Sequence, residues 1–186
     1  CLVVDDFSQD TTKELIITLN KKDPRIQYFV NSRKGSNLAR NLGLEKSKGK
    51  YVLFLDSDDA LEPRMIEISL EVIQKPILSD LAISFTNIYK NDEFKGVSDS
   101  VSSENLLLDF LKKSVIWPMN SVLIRKEILV SNQIHFRPDL LNGQDYCFFL
   151  SVISKKPNIV FTQKALSINY HLQGEPKHVK ISAGNS

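Results

Sequence analysis

The sequence is poor in the features that mark several large classes of protein. It has only two cysteines, Cys1 and Cys147, far apart in a chain of 186 residues, so we expect reduced thiols and no disulfide framework. No run of about 20 apolar residues is present, and we expect neither a membrane-spanning segment nor a signal peptide. These absences predict a cytoplasmic protein, at most in peripheral contact with the inner face of a membrane.

An excess of charge of one sign is also lacking. The 24 Lys and Arg residues nearly balance the 22 Asp and Glu residues, which leaves a net charge of +2 and no reason to expect a nucleic-acid partner. Hydrophobic residues make up 42% and charged residues 25%, as in an ordinary globular protein. With this length and no internal repeat, residues 1–186 are predicted to form a single domain.

Two familiar kinds of metal site are missing. No pair of His or Cys residues has the spacing of a zinc site. An EF-hand loop counted from Asp56 would place Leu61 and Glu67 at its sixth and twelfth positions, so the required Gly is absent. A Gly-rich phosphate loop near the first strand is also lacking, which disfavours a nucleotidyltransferase, although that class remains a weaker alternative.

What the sequence does contain is an alternation of strand-like and helical patterns. This alternation predicts an α/β sandwich with a mostly parallel central sheet. The predicted strands cover residues 2–4, 26–30, 51–55, 81–89, 122–124, 159–161 and 166–170. The predicted helices cover residues 11–20, 37–47, 63–74, 104–113, 126–131 and 145–154, and the polar residues 90–103 suggest a hairpin tip or a loop.

Acidic residues follow two of the predicted strands. Asp5 and Asp6 end the first strand, and residues 56–59, Asp-Ser-Asp-Asp, end the most apolar one. Ligands of open α/β sheets bind at the carboxyl ends of the strands, and carboxylates this close repel each other unless a cation is present. Oxygen ligands of this kind suit Mg²⁺ or Mn²⁺. The alternative is structural, since a single Asp such as Asp59 can cap the helix that begins near Pro63.

Three stretches in order resemble the motifs of family 2 glycosyltransferases. Residues 4–10 are similar to "VDDxSxD", residues 38–43 and 49–59 to "ARNxG…GxYxxFLDxDD", and residues 142–146 to "xxEDxxF". The resemblance covers most of the chain. Residues 170–178 resemble a late segment of the family, and with the stretch RPDLLNGQDYCFF before them they look closest to bacterial surface-glycan enzymes, including wall teichoic acid glycosyltransferases.

The resemblance implies a glycosyltransferase-A type fold and a transferase that uses a nucleotide sugar. The donor would be a UDP-hexose or UDP-N-acetylhexosamine, the acceptor a hydroxyl of a glycan or polyol in bacterial surface polysaccharide synthesis, and the reaction inverting. The residues implied to bind the nucleotide sugar are Asp5, Arg40, Asp56 and Ser57. For Arg40, a solvated position on a helix is the alternative.

The same resemblance assigns the metal and the catalytic base. Asp58 of the "DxD" pair would bind Mn²⁺ or Mg²⁺, with a weaker candidate ligand in His178, which could equally be solvated. Asp145 would be the general base that deprotonates the acceptor hydroxyl. Without the motif, the sequence pattern would indicate that Asp145 is the N-cap of the helix that begins there.

Two departures from the family pattern favour a rival interpretation. Gln144 replaces the acidic residue that normally precedes the base. The family's first strand, with its "PxYN" motif, is also expected to be missing. Both departures leave open a non-catalytic module that binds a nucleotide sugar or a metal. A further open point is Trp117, which could line the acceptor side or pack in the core.

Overall fold

The computed structural model describes residues 1–75, 78–98 and 105–171, so the weak metal candidate His178 lies outside the described residues. The chain forms two compact units. The first comprises Cys1–Gly49 and His135–Phe148, and the second comprises the described residues of Lys50–Ile134 and residues 149–171. A single catalytic domain over residues 1–186 stays a prediction.

The first unit is built on two parallel strands. Its elements are β1 (Leu2–Asp5), α1 (Thr12–Lys22), β2 (Gln27–Val30) and α2 (Ser36–Lys46). β1 and β2 pair in parallel, with Asp5 opposite Val30. Helix α2 packs closely on β1, since a Cβ added at Gly43 would lie 3.5 Å from the Val4 side chain. These four elements confirm the first part of the predicted order.

The second unit contains a mixed sheet. Its strands are β3 (Tyr51–Val52), β4 (Ala60–Leu61), β5 (Leu81–Lys90), β6 (Glu93–Ser98), β7 (Val122–Arg125) and β8 (Ile159–His171). Its complete helices are α3 (Met65–Ile73), α4 (Leu106–Leu111) and α5 (Lys126–Ser131), with a 3₁₀ turn at Met119–Ser121. The strand order is β3-β7-β5-β8-β4, and β6 pairs with residues 86–90 at the C-terminal end of β5. Helix α6 (Gln144–Ile153) starts in the first unit and ends in the second.

The prediction that the central sheet is mostly parallel is wrong, because the sheet of the second unit is mixed. Among the described residues, β1–β2 and β5–β8 are parallel, and the pairings β3–β7, β4–β8, β5–β6 and β5–β7 are antiparallel. One cause is the turn at Asn91 and Asp92, whose φ angles of 51° and 61° reverse the chain in two residues. The predicted hairpin tip is therefore a tight β5–β6 hairpin.

Two strands differ in length from their predictions. Only Tyr51 and Val52 of the predicted strand 51–55 pair with β7, and Leu55 is 48% exposed. The apolar run therefore leaves the sheet before it reaches the acidic residues. Conversely, predicted strands 159–161 and 166–170 are one strand, β8, with Gln163 at a φ of 57° where the register against β5 shifts. Such an irregularity interrupts the alternation of side chains, so the sequence pattern reads as two strands.

The core of the second unit contains a group of aromatic side chains. Trp117 is almost completely buried and packs edge-to-face against Phe110 at 4.7 Å and Phe149 at 5.7 Å between ring centroids. The core interpretation of Trp117 is confirmed, and the acceptor-side alternative is wrong. In the part of the chain that the structure describes, no helix is long and apolar enough to cross a membrane.

Candidate functional site

Asp5, the predicted nucleotide-binding residue, is buried at the end of β1. Its carboxylate accepts hydrogen bonds from the Ser8 N–H at 2.8 Å and from the Tyr28 hydroxyl at 2.5 Å. Hydrogen bonds from the Ser8 side chain, from Tyr28 and from the Ser8 backbone lower the pKa of Asp5 and outweigh the opposing effect of burial. The bond to Asp5 raises the pKa of Tyr28 to about 12. Asp5 is therefore a fixed, charged hydrogen-bond acceptor at the carboxyl end of β1.

Asp6, the other acidic residue of the first motif, has a structural role. Both of its carboxylate oxygens accept from the Gly35 N–H, at 2.8 and 2.9 Å, and Asn31 Nδ2 donates to it at 2.9 Å. Gly35 has a φ of 147°, which a residue with a side chain rarely adopts, so the loop ahead of α2 requires glycine. Asp6 thus holds the loop from which α2 starts, a role that the sequence alone did not reveal.

One face of α2 holds the segment that leads to Asp145. Asn37 Nδ2 donates to the Arg137 carbonyl at 2.6 Å. Asn41 bonds the Phe136 backbone in both directions, donating to its carbonyl at 2.7 Å and accepting from its N–H at 2.8 Å. The polar spacing of Ser36, Asn37, Arg40 and Asn41 places all four on one helical face. This spacing is the signal in the sequence from which the role of α2 in holding the segment before Asp145 could have been predicted.

Arg40 and Asp145, predicted to bind nucleotide and to act as the base, form an ion pair. Arg40 NH1 lies 3.1 Å from Asp145 Oδ1, and the exposed fractions of the two side chains are 13% and 43%. The Arg40 guanidinium also stands over the Phe136 ring, 5.3 Å from its centroid. The solvated alternative for Arg40 is therefore wrong. Arg40 holds the Asp145 carboxylate in place and leaves nearly half of the side chain open to solvent.

The N-cap alternative for Asp145 does not fit the helix boundary. Helix α6 begins at Gln144, so Asp145 lies within the first turn and its carboxylate binds Arg40. Gln144 connects the two neighbouring elements: its Oε1 accepts from the Ser36 hydroxyl at 3.2 Å, and its Nε2 donates to the Leu140 carbonyl at 3.2 Å. The residue that departs from the family pattern thus helps to hold the start of α6 against α2.

The residues above all lie in the first unit. The second unit contains the acidic turn, which consists of residues 56–59. A hydrogen bond of 3.2 Å from the Asp59 N–H to the Asp56 carbonyl closes this turn. Ser57 and Asp58 are exposed, and Asp56 and Asp59 are partly buried. The predicted donor and metal ligands Asp56, Ser57 and Asp58 therefore lie together on one short turn between β3 and β4.

Asp59 is tied to strand β8. Its carboxylate accepts from Asn169 Nδ2 at 2.8 Å and from the Tyr170 N–H at 3.3 Å. Burial and the nearby charge of Asp58 raise the pKa of Asp59 to about 7, against the opposing effect of these hydrogen bonds. Since α3 begins at Met65, the helix-cap alternative for Asp59 is wrong. Asp59 instead fastens the acidic turn to the sheet.

The chemistry of the acidic turn suits a hard divalent cation. Its carboxylates are close enough for their charges to disfavour ionisation at Asp59, a cost that a cation would reduce. Among residues 1–75, 78–98 and 105–171, no three His, Cys, Asp or Glu side chains form a complete metal centre. A Mg²⁺ or Mn²⁺ ion held by one or two carboxylates with substrate phosphates and water does not need such a centre. Asp58, as the exposed carboxylate, is the residue that fits.

Comparison with known proteins identifies the family. The profile of Glycosyl transferase family 2 matches residues 1–158. The chain belongs to this family. The motif resemblance is thereby confirmed.

Relatives with curated names are glycosyltransferases. An uncharacterized glycosyltransferase of Rickettsia bellii is 30% identical over 155 residues, covering 83% of this chain and 22% of that protein. TuaG of Bacillus subtilis, named for teichuronic acid biosynthesis, is 30% identical over 162 residues, covering 83% of this chain and 60% of its own length. The chain thus spans less than two thirds of these relatives.

Solved structures confirm the glycosyltransferase-A type α/β fold. S. aureus TarS 1–349 in complex with UDP-GlcNAc has a TM-score of 0.72 and 24% identity, covering 95% of this chain and 50% of that one. The mannosyltransferase PcManGT of Pyrobaculum calidifontis, in complex with GDP-Man and Mn²⁺, has a TM-score of 0.61 and 16% identity, covering 90% and 46%. At these sequence identities, the likeness shows that the fold is shared and shows nothing beyond the fold.

Proposed function

We propose that this chain carries the donor and base residues of an inverting glycosyltransferase. The donor is a UDP-hexose or UDP-N-acetylhexosamine, and the acceptor is a hydroxyl of a glycan or polyol in the synthesis of a bacterial surface polysaccharide. The observation that carries the proposal is the acidic turn, with Asp58 exposed, at the "DxD" position of a family 2 chain. The UDP-GlcNAc complex of TarS and the teichuronic acid name of TuaG support the donor and the product class.

In this proposal the acidic turn holds the cation. Asp58 would be its protein ligand. Asp56 and Ser57 would bind the nucleotide sugar, Asp56 through the ribose or a water on the ion. When bound there, the cation would neutralise the charge that develops on the leaving nucleotide diphosphate. The Mn²⁺ of PcManGT supports a divalent metal, and Mn²⁺ or Mg²⁺ is proposed here.

The first unit contributes the nucleotide and acceptor chemistry. Asp5 accepts hydrogen bonds from the base or ribose, and Arg40 contributes positive charge near the nucleotide while it orients Asp145. Asp145 takes the proton of the acceptor hydroxyl while the oxygen of that hydroxyl forms its bond to the anomeric carbon. The bond from that carbon to the diphosphate oxygen breaks, and the nucleotide diphosphate leaves with the electron pair. A single displacement of this kind inverts the anomeric centre.

The first experiment is calorimetric titration of UDP with Mn²⁺ and then with excess chelator. We expect binding that requires the metal and that Asp58→Ala abolishes, because the ion loses its protein ligand. Glu71→Ala, which removes an exposed carboxylate from α3 in the same unit, is the matched control and should bind UDP normally. Metal-independent binding, or normal binding by Asp58→Ala, would contradict the donor assignment.

A transfer assay beside this titration separates the enzyme from the non-catalytic alternative. UDP binding without transfer to any of a panel of glycans and polyols would favour a binding module. The cytoplasmic location, at most with peripheral contact to the inner face of the membrane, stays a prediction that cell fractionation tests.

A further inference from the structure

Three aromatic side chains form a row across neighbouring strands of the second unit. Tyr89 on β5 is opposite Phe94 on β6, and on the other side it is opposite Tyr170 on β8. The ring centroids of Tyr89 and Phe94 are 5.6 Å apart at 65°, and those of Tyr89 and Tyr170 are 5.5 Å apart at 34°. We call Tyr89, Phe94 and Tyr170 the aromatic row.

The aromatic row depends on an irregularity in the hairpin. The β5–β6 register shifts between Ile88 and Tyr89, so that no residue of β5 is paired with Lys95 and Phe94 faces Tyr89. Gly96, opposite Ile88, has a φ of 142°, a value that favours glycine at this place. The shift brings two aromatic rings into contact one pair away from the residues that flank the Asn91–Asp92 turn of the hairpin.

The rings remain accessible to solvent. Phe94 is 55% exposed and Tyr170 is 37% exposed. Single exposed apolar residues are common on protein surfaces, but a contiguous group of rings points to a binding site. The area is too small for a protein partner, since three side chains cannot supply the roughly 800 Å² per partner of a stable interface.

The aromatic row is linked to the acidic turn by direct contacts. The Tyr170 backbone N–H donates to Asp59 Oδ1 at 3.3 Å, and the neighbouring Asn169 donates to Asp59 Oδ2 at 2.8 Å. The end of the row at Tyr170 is therefore held beside the turn that carries the proposed donor ligands.

We propose that the aromatic row binds a hexopyranose ring of the acceptor glycan, an inference that rests on the proposed function. The faces of aromatic rings carry negative charge density, and they attract the C–H groups on the apolar face of a sugar ring. The tyrosine hydroxyls give the row a polar edge for sugar hydroxyls. A linear polyol or a phosphate group has no such ring face, so the acceptor class narrows from glycan or polyol to a glycan with a hexopyranose ring.

The test uses saturation-transfer NMR on the full chain with UDP and Mn²⁺ present. The probes are the methyl β-glycosides of glucose, galactose, N-acetylglucosamine and N-acetylgalactosamine, with ribitol as the probe that lacks a ring. We expect saturation of the ring C–H protons of at least one glycoside and none for ribitol. Phe94→Ala and Tyr170→Ala should each weaken glycoside binding by about three- to tenfold, the range of one aromatic contact.

Two further variants distinguish the site from a general effect on folding. Phe94→Trp keeps a ring and should retain glycoside binding. Leu111→Ala removes a side chain that is 56% exposed on α4 in the same unit, and should leave glycoside binding unchanged. UDP affinity is measured on every variant and should equal that of the unsubstituted chain.

Failure of this inference is distinguishable from failure of the proposed function. Normal UDP binding without a glycoside signal, or glycoside binding that survives loss of Phe94 and Tyr170, overturns the inference alone. A fall in UDP affinity on loss of Phe94 would mean that the aromatic row binds the nucleobase. This outcome would also overturn the inference. If the unsubstituted chain self-associates and Phe94→Ala abolishes this with unchanged glycoside signals, the aromatic row is a contact between protein chains and the inference is overturned. Absence of UDP binding in the unsubstituted chain overturns the proposed function instead.

Discussion

At the scale of single residues, Asp145 combines restraint with access. Arg40 binds one carboxylate oxygen at 3.1 Å, and the Asp145 side chain is 43% exposed. A general base must be oriented and still reach the proton that it removes. The geometry of this residue therefore suits a base better than it suits a purely structural ion pair.

Asp145→Asn should therefore lose transfer activity and keep donor binding. The amide oxygen can still accept from Arg40, but the side chain no longer takes a proton, so transfer should fall by roughly 10²–10⁴-fold. UDP affinity should stay unchanged, as measured by calorimetry beside steady-state rates. Asp139→Asn alters another Arg–Asp ion pair of the same unit, the more exposed one with Arg137, and is the control with normal activity expected. A parallel loss of donor affinity and rate in Asp145→Asn would refute the base role.

At the scale of elements, helix α2 is the support for the segment that carries Asp145. Asn37 and Asn41 bond the backbone of residues 136–140, and Arg40 and Ser36 bond the first turn of α6. The "ARN" part of the family motif is thus partly structural: its Arg orients the proposed base and its Asn holds the approach to that base.

Asn41→Ala should loosen this segment without changing α2 itself. Removing both hydrogen bonds to Phe136 should cost about 1–3 kcal/mol of unfolding free energy, and hydrogen exchange at the Phe136 amide should accelerate. Asn20→Ala breaks a similar 2.6 Å bond, to the Ile26 carbonyl, and is the control in which Phe136 exchange stays slow. Unchanged Phe136 exchange in Asn41→Ala would show that the segment is held by other contacts.

At the scale of the whole molecule, the bond between Tyr28 and Asp5 should make stability depend on pH. The folded pKa of Asp5 is lowered, so its contribution is present above the unfolded pKa of about 3.9 and is lost as the pH falls through the folded pKa. The folded pKa of Tyr28 is raised to about 12, so its contribution is present below the unfolded value of about 10 and is lost as the pH rises through 12.

Urea unfolding of Tyr28→Phe between pH 3 and pH 9 tests this dependence. The variant should be less stable by a constant amount from about pH 5 to pH 9, and the difference should shrink below about pH 4 as Asp5 takes up its proton. Tyr51→Phe is the control, because the buried Tyr51 hydroxyl has no hydrogen-bond partner among the described residues. A difference that does not change with pH would mean that Tyr28 stabilises the fold by packing alone.

The sequence by itself determined the family, the order of most elements and the positions of the acidic motifs. These depend on local patterns: apolar periodicity over a few residues, and acidic residues directly after apolar runs. Residues 2–4, 11–20 and 81–89 were predicted close to β1, α1 and β5 for this reason. The parallel bias was wrong because β5–β6 turns back within two residues, and Leu53 to Leu55 left the sheet although they looked like a strand.

Only the tertiary structure decided which partners each acidic residue has. Asp5 and Asp6 are neighbours in sequence, but one is held by Tyr28 and Ser8 and the other by the Gly35 loop. Arg40 reaches Asp145 across 105 positions, and Asp59 reaches Tyr170 across 111. The aromatic row likewise joins three strands through a register shift. Contacts over such separations depend on how strands and helices pack, which no local pattern in the chain specifies.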